Sequence, residues 1–251
     1  MRAYVTFLKP LLYSHIAAFH AISPNESATI RRVFPSKKVY VVPNGLAPRF
    51  TMKRGRSRTD VAEADSVRLV CVGRLDVQTK GLDVLLAAFA HATRRCHRPL
   101  ELTLIGPAWG TDLLRVERMI DQLGISDVVS LPGKMGQDGV AEALRTGHVF
   151  VQMSRWDAFS LAALEAMAME LPCVLSSRVG IVSFPSIAAL PHVNLTEPSI
   201  DEATATIEAV VGSLERQRED AHRAGPSIRE QFSWEGIAEE HERAYRRLGI
   251  A

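Results

Sequence analysis

The most constraining feature of the sequence is a strand-to-helix transition at residues 148–170, which reads HVFVQMSRWDAFSLAALEAMAME. The apolar run His148–Met153 predicts a buried parallel strand, and a polar loop and a helix that begins near Ser160 follow it. Such a helix N-terminus directs backbone N–H groups and the positive end of the helix dipole at one point, which favours a phosphate or another anion. Asp157 in the loop and Glu165 on the helix are not needed by the core. Because ligands of open α/β sheets bind at the carboxyl ends of the strands, the transition predicts a ligand site.

A second strand-to-helix transition opens a regular alternation of strands and helices from Ser66 onward. Val67–Val72 is predicted to form a strand, and a helix opens at Lys80 after a polar turn. Taken alone, Arg74 and Lys80 are more simply interpreted as solvated surface cations. They flank a strand-to-helix turn at the carboxyl end of a strand, however, where phosphate sites concentrate. The other interpretation is therefore a pair of phosphate-binding cations.

Further apolar runs, separated by turn residues and amphipathic segments, predict more strands of the same sheet. The predicted strands are Leu100–Ile105, Val128–Leu131, His148–Met153, Leu171–Ser176 and, at an edge, Ala189–Leu195. The predicted helices are Leu113–Leu123, Gly139–Thr146, Ser199–Leu214 and Ala221–Gln231. This alternation predicts an α/β fold with a doubly wound parallel sheet over residues 66–231.

The N-terminal part of the chain carries elements that this sheet does not include. Residues 1–47 are predicted to form part of a second domain, with a helical pattern at 3–19, strands at Ala18–Ile22 and Lys38–Val42, and a capped helix between the strands. These few elements cannot close a core, so we expect their apolar faces to pack on another chain, to pack on the second domain or to stay exposed. Residues 48–65 are polar and charged, and they are predicted to be a linker.

The last segment, residues 232–251, predicts an amphipathic helix. Ser233 is a suitable N-cap, and apolar and aromatic residues recur on one face up to about Leu248. We expect this helix to return to the N-terminal domain and to leave part of its apolar face exposed.

Composition excludes several classes of protein. The net charge of +2 is too small to indicate a nucleic-acid partner, although peripheral contact with an anionic membrane stays open. The sequence has no run of about 20 apolar residues that predicts a transmembrane helix. Cys71, Cys96 and Cys173 are widely spaced and, like the scattered histidines, lack the spacing of metal ligands. Unpaired, unclustered cysteines are typical of a reduced cytoplasm, which is the predicted location.

The central transition resembles a motif of the retaining GT-B glycosyltransferases of the family 4 group (glycosyl transferases group 1). Their motif is close to E-G-F-G-L-x-x-L-E-A-M-A-x-G-x-P-V, and this chain has D-A-F-S-L-A-A-L-E-A-M-A-M-E-L-P-C-V from Asp157 to Val174. The sequence GRL at residues 73–75 and KGLD at residues 80–83 resembles a second motif of the same enzymes. The passage HAISPNESATIRRVFPSKKVYVVPNGL resembles the end of their N-terminal, acceptor-side domain. The resemblance implies a GT-B donor domain with most of the N-terminal domain missing.

The resemblance also implies roles for individual residues. Arg74 and Lys80 neutralise the departing diphosphate and Asp157 faces the donor sugar, so these three are the predicted catalytic residues. Glu165 holds the ribose hydroxyls. The other predicted donor-binding residues are Gly73 of the GRL match, the amides of Phe159, Ser160 and Leu161, and, beside the nucleotide base, Lys134 and Met135.

Several positions depart from the family motif. Asp157 replaces a glutamate, and Ala158, Ser160 and Glu170 replace glycines. An added Cβ narrows the approach of the backbone to a phosphate. The segment 177–182 also lacks the acidic residue of the G-G-x-x-E loop. For Lys134 and Met135, a plain Pro-Gly turn is an equally good interpretation.

The function that the resemblance implies is transfer of a sugar from a nucleotide-diphosphate sugar to an acceptor, with retention of configuration. The nucleotide-sugar is then a substrate, and no metal or other cofactor is expected. An alternative is a donor-binding half without catalysis of its own, either a pseudoenzyme or a subunit completed by a separate N-terminal chain or an oligomer partner. A nucleotide-sugar epimerase on the same fold fits the cations and the acidic pair less well.

Overall fold

The computed structural model describes residues 13–51, 65–108 and 110–249, so most of the predicted helical pattern at 3–19 lies outside the described residues. The strands are β1 (Ala18–Ala21), β2 (Lys38–Val41), β3 (Val67–Val72), β4 (Leu100–Ile105), β5 (Val129–Gly133), β6 (Val149–Gln152), β7 (Cys173–Ser176) and β8 (Val193–Thr196). The helices are α1 (Pro24–Val33), α2 (Pro48–Thr51), α3 (Val77–Lys80), α4 (Leu82–Arg95), α5 (Asp112–Leu123), α6 (Gln137–Thr146), α7 (Leu161–Ala168), α8 (Pro185–Ala188), α9 (Ile200–Gly212), α10 (Leu214–Gln231) and α11 (Trp234–Leu248).

The main sheet is parallel throughout and has the strand order β5-β4-β3-β6-β7-β8. The chain builds outward from β3 through β4 to β5, and then returns to the other side of β3 to add β6, β7 and β8. The predicted doubly wound parallel sheet is therefore confirmed. The direction of winding reverses between β3 and β6, which is the point where such sheets bind ligands. The loops after these two strands are the two transitions that stand out in the sequence.

Each face of the sheet carries its own apolar core. On one face α4 packs against the sheet and α9, and on the other face α7 packs beneath α10. The strands next to the reversal are buried on both faces, as parallel strands are, and this explains why they read as continuous apolar runs. Two covered faces hold the carboxyl ends of β3 and β6 in fixed positions.

The N-terminal elements form a separate two-stranded parallel sheet of β1 and β2. Two strands are too few to be stable alone, and here they pack against α11. His20 stacks on Tyr40 with ring centroids 5.1 Å apart, and His241 of α11 lies edge-on to His20 at 4.8 Å. Tyr245, also on α11, meets Tyr40 at 6.1 Å and stays partly exposed. The returning C-terminal helix and its partly exposed face are thus both observed.

The structure differs from the sequence prediction at several element boundaries. The polar turn before Lys80 contains a short helix, α3, because Asp76 accepts a hydrogen bond from the Thr79 amide at 2.8 Å and caps it. The last strand starts at Val193 rather than Ala189, since residues 180–188 form helical turns. Helix α10 begins at Leu214 and includes Pro226, so it is longer than predicted.

The beginning of the predicted linker is also structured. Residues Pro48–Thr51 form the single turn α2, and its Phe50 is fully buried in the core beneath α6 and α7. The amide of Leu46, just before this turn, donates to the carbonyl of Phe232 at 2.8 Å. A single aromatic residue in a polar segment gives no periodicity, which is why the sequence pattern missed it.

Glu170, which replaces a motif glycine after α7, has a positive φ of 65°. Its carboxylate accepts hydrogen bonds from Arg229 at 3.0 Å and contacts His222 at 2.6 Å, and Arg229 also donates to the carbonyl of Ala168. The ion pair with Arg229 is mostly buried. These contacts hold a backbone conformation that L-residues adopt at a cost of about 1–2 kcal/mol.

We therefore expect Glu170→Ala to lower the free energy of unfolding more than Glu170→Gly, by about 1 kcal/mol. Both variants lose the contacts to Arg229 and His222, but only alanine keeps the unfavourable positive φ. Urea denaturation of the two variants measures the difference. Equal destabilisation by glycine and alanine would show that the backbone at this position is not strained.

Candidate functional site

The two predicted motifs meet at the reversal of the sheet through one ion pair. Nζ of Lys80 lies 2.5 Å from Oδ2 of Asp157, and the two side chains are only 20% and 12% exposed. Lys80 ends α3 beyond β3, and Asp157 lies in the loop beyond β6. The structure therefore brings together two of the three predicted catalytic residues, which are far apart in the sequence.

Gly81 explains how Lys80 is held against the end of β6. Its φ is +62°, and a Cβ on this residue would lie 2.0 Å from the carbonyl oxygen of Met153. Only glycine allows the chain to pass this close and then turn from α3 into α4. Arg155 strengthens the contact, because its amide donates to the carbonyl of Thr79 and its guanidinium forms a bidentate pair with Asp83 at 2.7–2.8 Å. That pairing lowers the pKa of Asp83 and raises the pKa of Arg155.

A small hollow opens beside Lys80 at the carboxyl end of β3. Gly73, Arg74, Lys80 and Gln152 contribute to its lining, and its volume is about 10 Å³. The Arg74 side chain is 44% exposed and lies 4.0 Å from Asp76. The hollow has room for about one water molecule but not for a diphosphate. A diphosphate does not fit the hollow as it stands, with Lys80 paired to Asp157.

The loop that carries Asp157 is fixed to the segment after β7. The carbonyl of Asp157 accepts from the Gly180 amide at 2.8 Å, and that of Phe159 accepts from the Ile181 amide at 2.9 Å. A Cβ on Gly180 would lie 1.9 Å from the carbonyl oxygen of Ala158, so glycine is required there too. The segment without the family's acidic residue thus still supports the loop.

The loop amides differ in whether they are available to a ligand. The amide of Phe159 donates to Oδ1 of Asp157, two residues earlier in the chain, at 3.2 Å. This predicted donor-binding group is therefore already engaged. Within the described part of the chain, no contact engages the amides of Ser160 or Leu161 at the N-terminus of α7. These two amides, with the helix dipole, are the groups that can still bind an anion.

Sequence reasoning missed Gln152, the last residue of β6. Its amide nitrogen donates to Ser154 at 2.9 Å and to Oδ2 of Asp157 at 3.0 Å, and its carbonyl oxygen accepts from the Ser160 hydroxyl at 2.6 Å. A polar residue inside an otherwise apolar strand run was the available signal. Gln152 connects the Asp157 carboxylate to the start of α7.

Glu165 lies on α7, beyond the N-cap Ser160, and does not line the hollow at Lys80. Burial raises the pKa of its carboxyl group to about 7. No hydrogen bond or ion pair of this carboxylate occurs among the described residues. A half-buried acidic group without a protein partner is typical of a functional site, because a ligand can supply the missing donors.

Lys134 and Met135 follow β5, which is the outermost strand on one side of the sheet. They lie at the same carboxyl end of the strands as the loops of Lys80 and Asp157. Lys134 is exposed, and the side chain of Met135 packs over Gly139. The carbonyl of Gly133 accepts from the Gly106 amide at 2.9 Å, which ties the end of β5 to the end of β4. No contact in the described structure joins either residue to Lys80, so their part in the site remains a prediction.

Metal-binding clusters and membrane-spanning helices are both absent from the described residues. Among the residues that the structure describes, no three His, Cys, Asp or Glu side chains are grouped so that they can hold a metal ion. None of the helices within the described ranges combines the length and the apolar character required to cross a bilayer.

Comparison with known proteins identifies the family. Residues 66–215 match the family described as Glycosyl transferases group 1, and the chain belongs to this family. The resemblance that the sequence motifs indicate is thereby confirmed. The match covers the strands β3–β8 and both loops of the ion pair.

Curated relatives are glycosyltransferases of different specificities. The chain is 25% identical over 220 residues to the gpi3 subunit of phosphatidylinositol N-acetylglucosaminyltransferase from Schizosaccharomyces pombe, covering 88% of this chain and 46% of the relative. It is 29% identical over 218 residues to the MMP alpha-(1->4)-mannosyltransferase of Mycolicibacterium hassiacum, covering 80% and 46%. The chain thus spans about half the length of the curated relatives it matches.

Solved structures share the fold. The sucrose-phosphate synthase of Thermosynechococcus elongatus superposes with a TM-score of 0.81 at 23% identity, over 99% of this chain and 62% of that one. Anabaena HepE, solved in complex with UDP and glucose, superposes with a TM-score of 0.79 at 15% identity, over 100% of this chain and 67% of that one. The predicted GT-B-type fold is confirmed.

The raised pKa of Glu165 leads to a prediction about stability. The folded state holds the proton of this carboxyl group more tightly than the unfolded state, whose pKa is about 4.5. The ionised group therefore destabilises the fold increasingly as the pH rises from about 4.5 to about 7. We expect Glu165→Gln to raise the free energy of unfolding by about 2 kcal/mol at pH 8 and to change it little below pH 4.5. Chemical denaturation at both pH values measures the effect.

Glu117→Gln on the exposed face of α5 is the matched control and should change stability little at either pH. A Glu165→Gln variant that is equally stable or less stable at pH 8 would show that Glu165 is not desolvated.

Proposed function

We propose that this chain binds a nucleotide-diphosphate sugar at the carboxyl edge of β3 and β6 and takes part in transfer of the sugar to an acceptor with retention of configuration. The observation that carries this proposal is the partly buried Lys80–Asp157 pair at the reversal of the sheet. In this proposal the pair contributes a cation that can bind phosphate and a carboxylate that can bind sugar hydroxyls. Family membership supports the transferase reaction class.

In this proposal the diphosphate occupies the space that opens when Lys80 and Asp157 separate. Lys80 and Arg74 bind the diphosphate from the β3 side, and the amides of Ser160 and Leu161 bind it at the N-terminus of α7. Positive charge in these positions stabilises the negative charge that develops on the leaving diphosphate. The groups lie on rigid elements at the ends of buried strands, so little reorganisation is needed beyond the ion pair itself.

The two carboxylates act on the sugars of the donor. Asp157, released from Lys80, accepts hydrogen bonds from the transferred sugar, and Glu165 accepts from the ribose hydroxyls. Ribose hydroxyls are good partners for Glu165, because they supply the donors that its carboxylate lacks in the protein. Lys134 and Met135 lie beside the base. Retention follows when the acceptor attacks the face from which the diphosphate leaves and a phosphate oxygen takes the acceptor's proton.

The relatives support a hexose as the transferred group. The names of two of them contain N-acetylglucosaminyl and mannosyl transfer, and the HepE structure holds UDP and glucose. These are properties of those proteins, and for this chain they make UDP- and GDP-sugars the first donors to test.

The alternative is a donor-binding half that depends on a partner for catalysis. The chain spans about half of its relatives, and β1 and β2 form only a small sheet held by α11. One relative is itself named as a subunit. In this alternative a separate N-terminal chain or an oligomer partner supplies the acceptor site.

Calorimetric titration with UDP-, GDP- and ADP-sugars tests donor binding, and assays of donor hydrolysis and sugar transfer test catalysis. Turnover by the chain alone supports the transferase, whereas turnover only after addition of a separately expressed N-terminal, acceptor-side chain supports the split enzyme. Binding without turnover in both settings supports the pseudoenzyme. Absence of binding to all three donors contradicts every form of the proposal.

The cation assignment predicts the behaviour of an Arg74→Ala, Lys80→Ala double variant. We expect its affinity for the nucleoside diphosphate of the bound donor to fall at least about a hundredfold, because two charge-assisted contacts are lost. Arg94→Ala with Arg95→Ala is the control, since it removes equal charge from the opposite end of α4. Unchanged affinity in the double variant would remove the two cations from the phosphate site.

Glu165→Ala should likewise weaken nucleotide binding.

The competition between Asp157 and the diphosphate predicts an opposite result for Asp157→Asn. This variant frees Lys80 and removes a negative charge next to the phosphate, so we expect the free nucleoside diphosphate to bind about fivefold more tightly. Sugar transfer should be lost at the same time. Calorimetry with the free diphosphate measures the first effect. Weaker binding would show that the pair is a scaffold that the ligand does not open.

A further inference from the structure

Gln152 makes an unusual set of contacts for a residue at the end of a core strand. The side chain is 2% exposed, and its neighbours along β6 are apolar. A buried amide is unfavourable unless its donors and its acceptor are bonded, and here all of them are. Both N–H groups and the carbonyl oxygen have partners, namely Ser154, Asp157 and Ser160.

The chemistry of the partners fixes the orientation of this amide. The ionised Asp157 carboxylate can only accept a hydrogen bond, so the amide nitrogen of Gln152 must face it. The carbonyl oxygen then faces Ser160, whose hydroxyl donates to it at 2.6 Å. One side chain thus bonds both the proposed sugar-facing carboxylate and the residue at which α7 begins.

Ser160 depends on this contact because its backbone is strained. Its φ is +74° at a position where the family motif has glycine, and such a conformation disfavours any residue with a Cβ. The hydroxyl donates to Gln152 and accepts from the Ala163 amide at 3.2 Å, so it also caps the helix. The Gln152–Ser160 hydrogen bond holds the loop in the conformation that a glycine would adopt freely.

We propose that Gln152 is a positioning residue with two separable effects. Through its nitrogen it keeps the Asp157 carboxylate directed at the donor sugar after the diphosphate has taken Lys80. Through its oxygen it holds Ser160, and with it the free amides of Ser160 and Leu161, in the geometry that receives the diphosphate. This assignment deepens the proposed function and depends on it.

The first effect follows from what remains when the ion pair opens. Asp157 has lost Lys80, but its Oδ2 still accepts from Gln152 at 3.0 Å and its Oδ1 still accepts from the Phe159 amide. Two hydrogen bonds from fixed donors are enough to hold a carboxylate in one orientation. Without Gln152, one of these two is lost and the carboxylate can rotate.

The test separates the two effects with Gln152→Met and Ser160→Gly, alone and combined. Methionine keeps the length of the side chain but makes neither hydrogen bond, and glycine at residue 160 removes the strain. Each variant is titrated with the nucleotide-sugar that binds the wild type best and with the corresponding free nucleoside diphosphate. The ratio of the two affinities reports on the sugar contact, and the affinity of the free diphosphate reports on the loop.

For Gln152→Met we expect the preference for the nucleotide-sugar over the free diphosphate to fall about tenfold. We expect the affinity of the free diphosphate to fall as well. Adding Ser160→Gly should restore the diphosphate affinity to within about threefold of the wild type, but should not restore the preference for the sugar. A purely structural role of Gln152 does not predict this split.

Gln217→Met is the matched control, because Gln217 is another largely buried glutamine. It is bonded to Asn194 near the start of β8, the outermost strand of the sheet. This variant should leave the preference for the sugar unchanged. The proposal is overturned when Gln152→Met lowers both affinities equally, or when Ser160→Gly restores nothing.

A wild type that binds none of the donors refutes the proposed function and, with it, the effect on the sugar. Equilibrium unfolding then decides the effect on the loop. The double variant should be more stable than Gln152→Met alone, by at least about tenfold in the unfolding equilibrium constant. Equal or lower stability of the double variant overturns this half as well.

Discussion

The ion pair between Lys80 and Asp157 is the interaction on which the organisation of the site depends. It joins the loops beyond β3 and β6, the two strands between which the winding of the sheet reverses. A partly buried pair adds little net stability, because the attraction of the charges is offset by the loss of their hydration. Lys80 can therefore exchange Asp157 for an anionic ligand at a small cost in folding free energy, provided that hydrogen-bond donors replace Lys80 at Asp157. A pair that contributes little to folding is well suited to open during binding.

Helix α7, next to this pair, is fixed at both ends by a residue with positive φ that side-chain hydrogen bonds hold in place. Helix α7 begins after Ser160 and ends before Glu170, and both residues have positive φ although neither is a glycine. Each backbone conformation is held by side-chain contacts, with Gln152 at the N-terminal end and Arg229 at the C-terminal end. The family motif has glycine at both positions. Here the freedom of glycine is replaced by specific hydrogen bonds, which makes the helix position dependent on residues outside the motif.

Sequence patterns predicted the parallel sheet and placed the two loops that carry Lys80 and Asp157 after strands of that sheet, because apolar periodicity and the placement of loops in parallel sheets determine both. The direct contact between Lys80 and Asp157 was not predicted. The same patterns did not predict Gln152 or the burial of Phe50. The contacts of Gln152 depend on a turn that bends residues 157–160 back over the end of β6, and apolar periodicity carries no information about that turn. Phe50 is buried because distant elements pack around it. Long-range contacts of single residues leave no periodic signal, so these features are evident only in the folded structure.

The contact between α11 and the N-terminal part of the chain also depends on residues that are distant in the sequence. Trp234 at the start of α11 covers Gly45, where a Cβ would lie 2.7 Å from its ring, and Leu46 bonds the carbonyl of Phe232. The same stretch leads directly into Phe50, which packs beneath α7. The N-terminal sheet, the start of α11 and the core beneath α7 are therefore joined through residues 45–50, which pack against Trp234, Phe232 and α7 in turn.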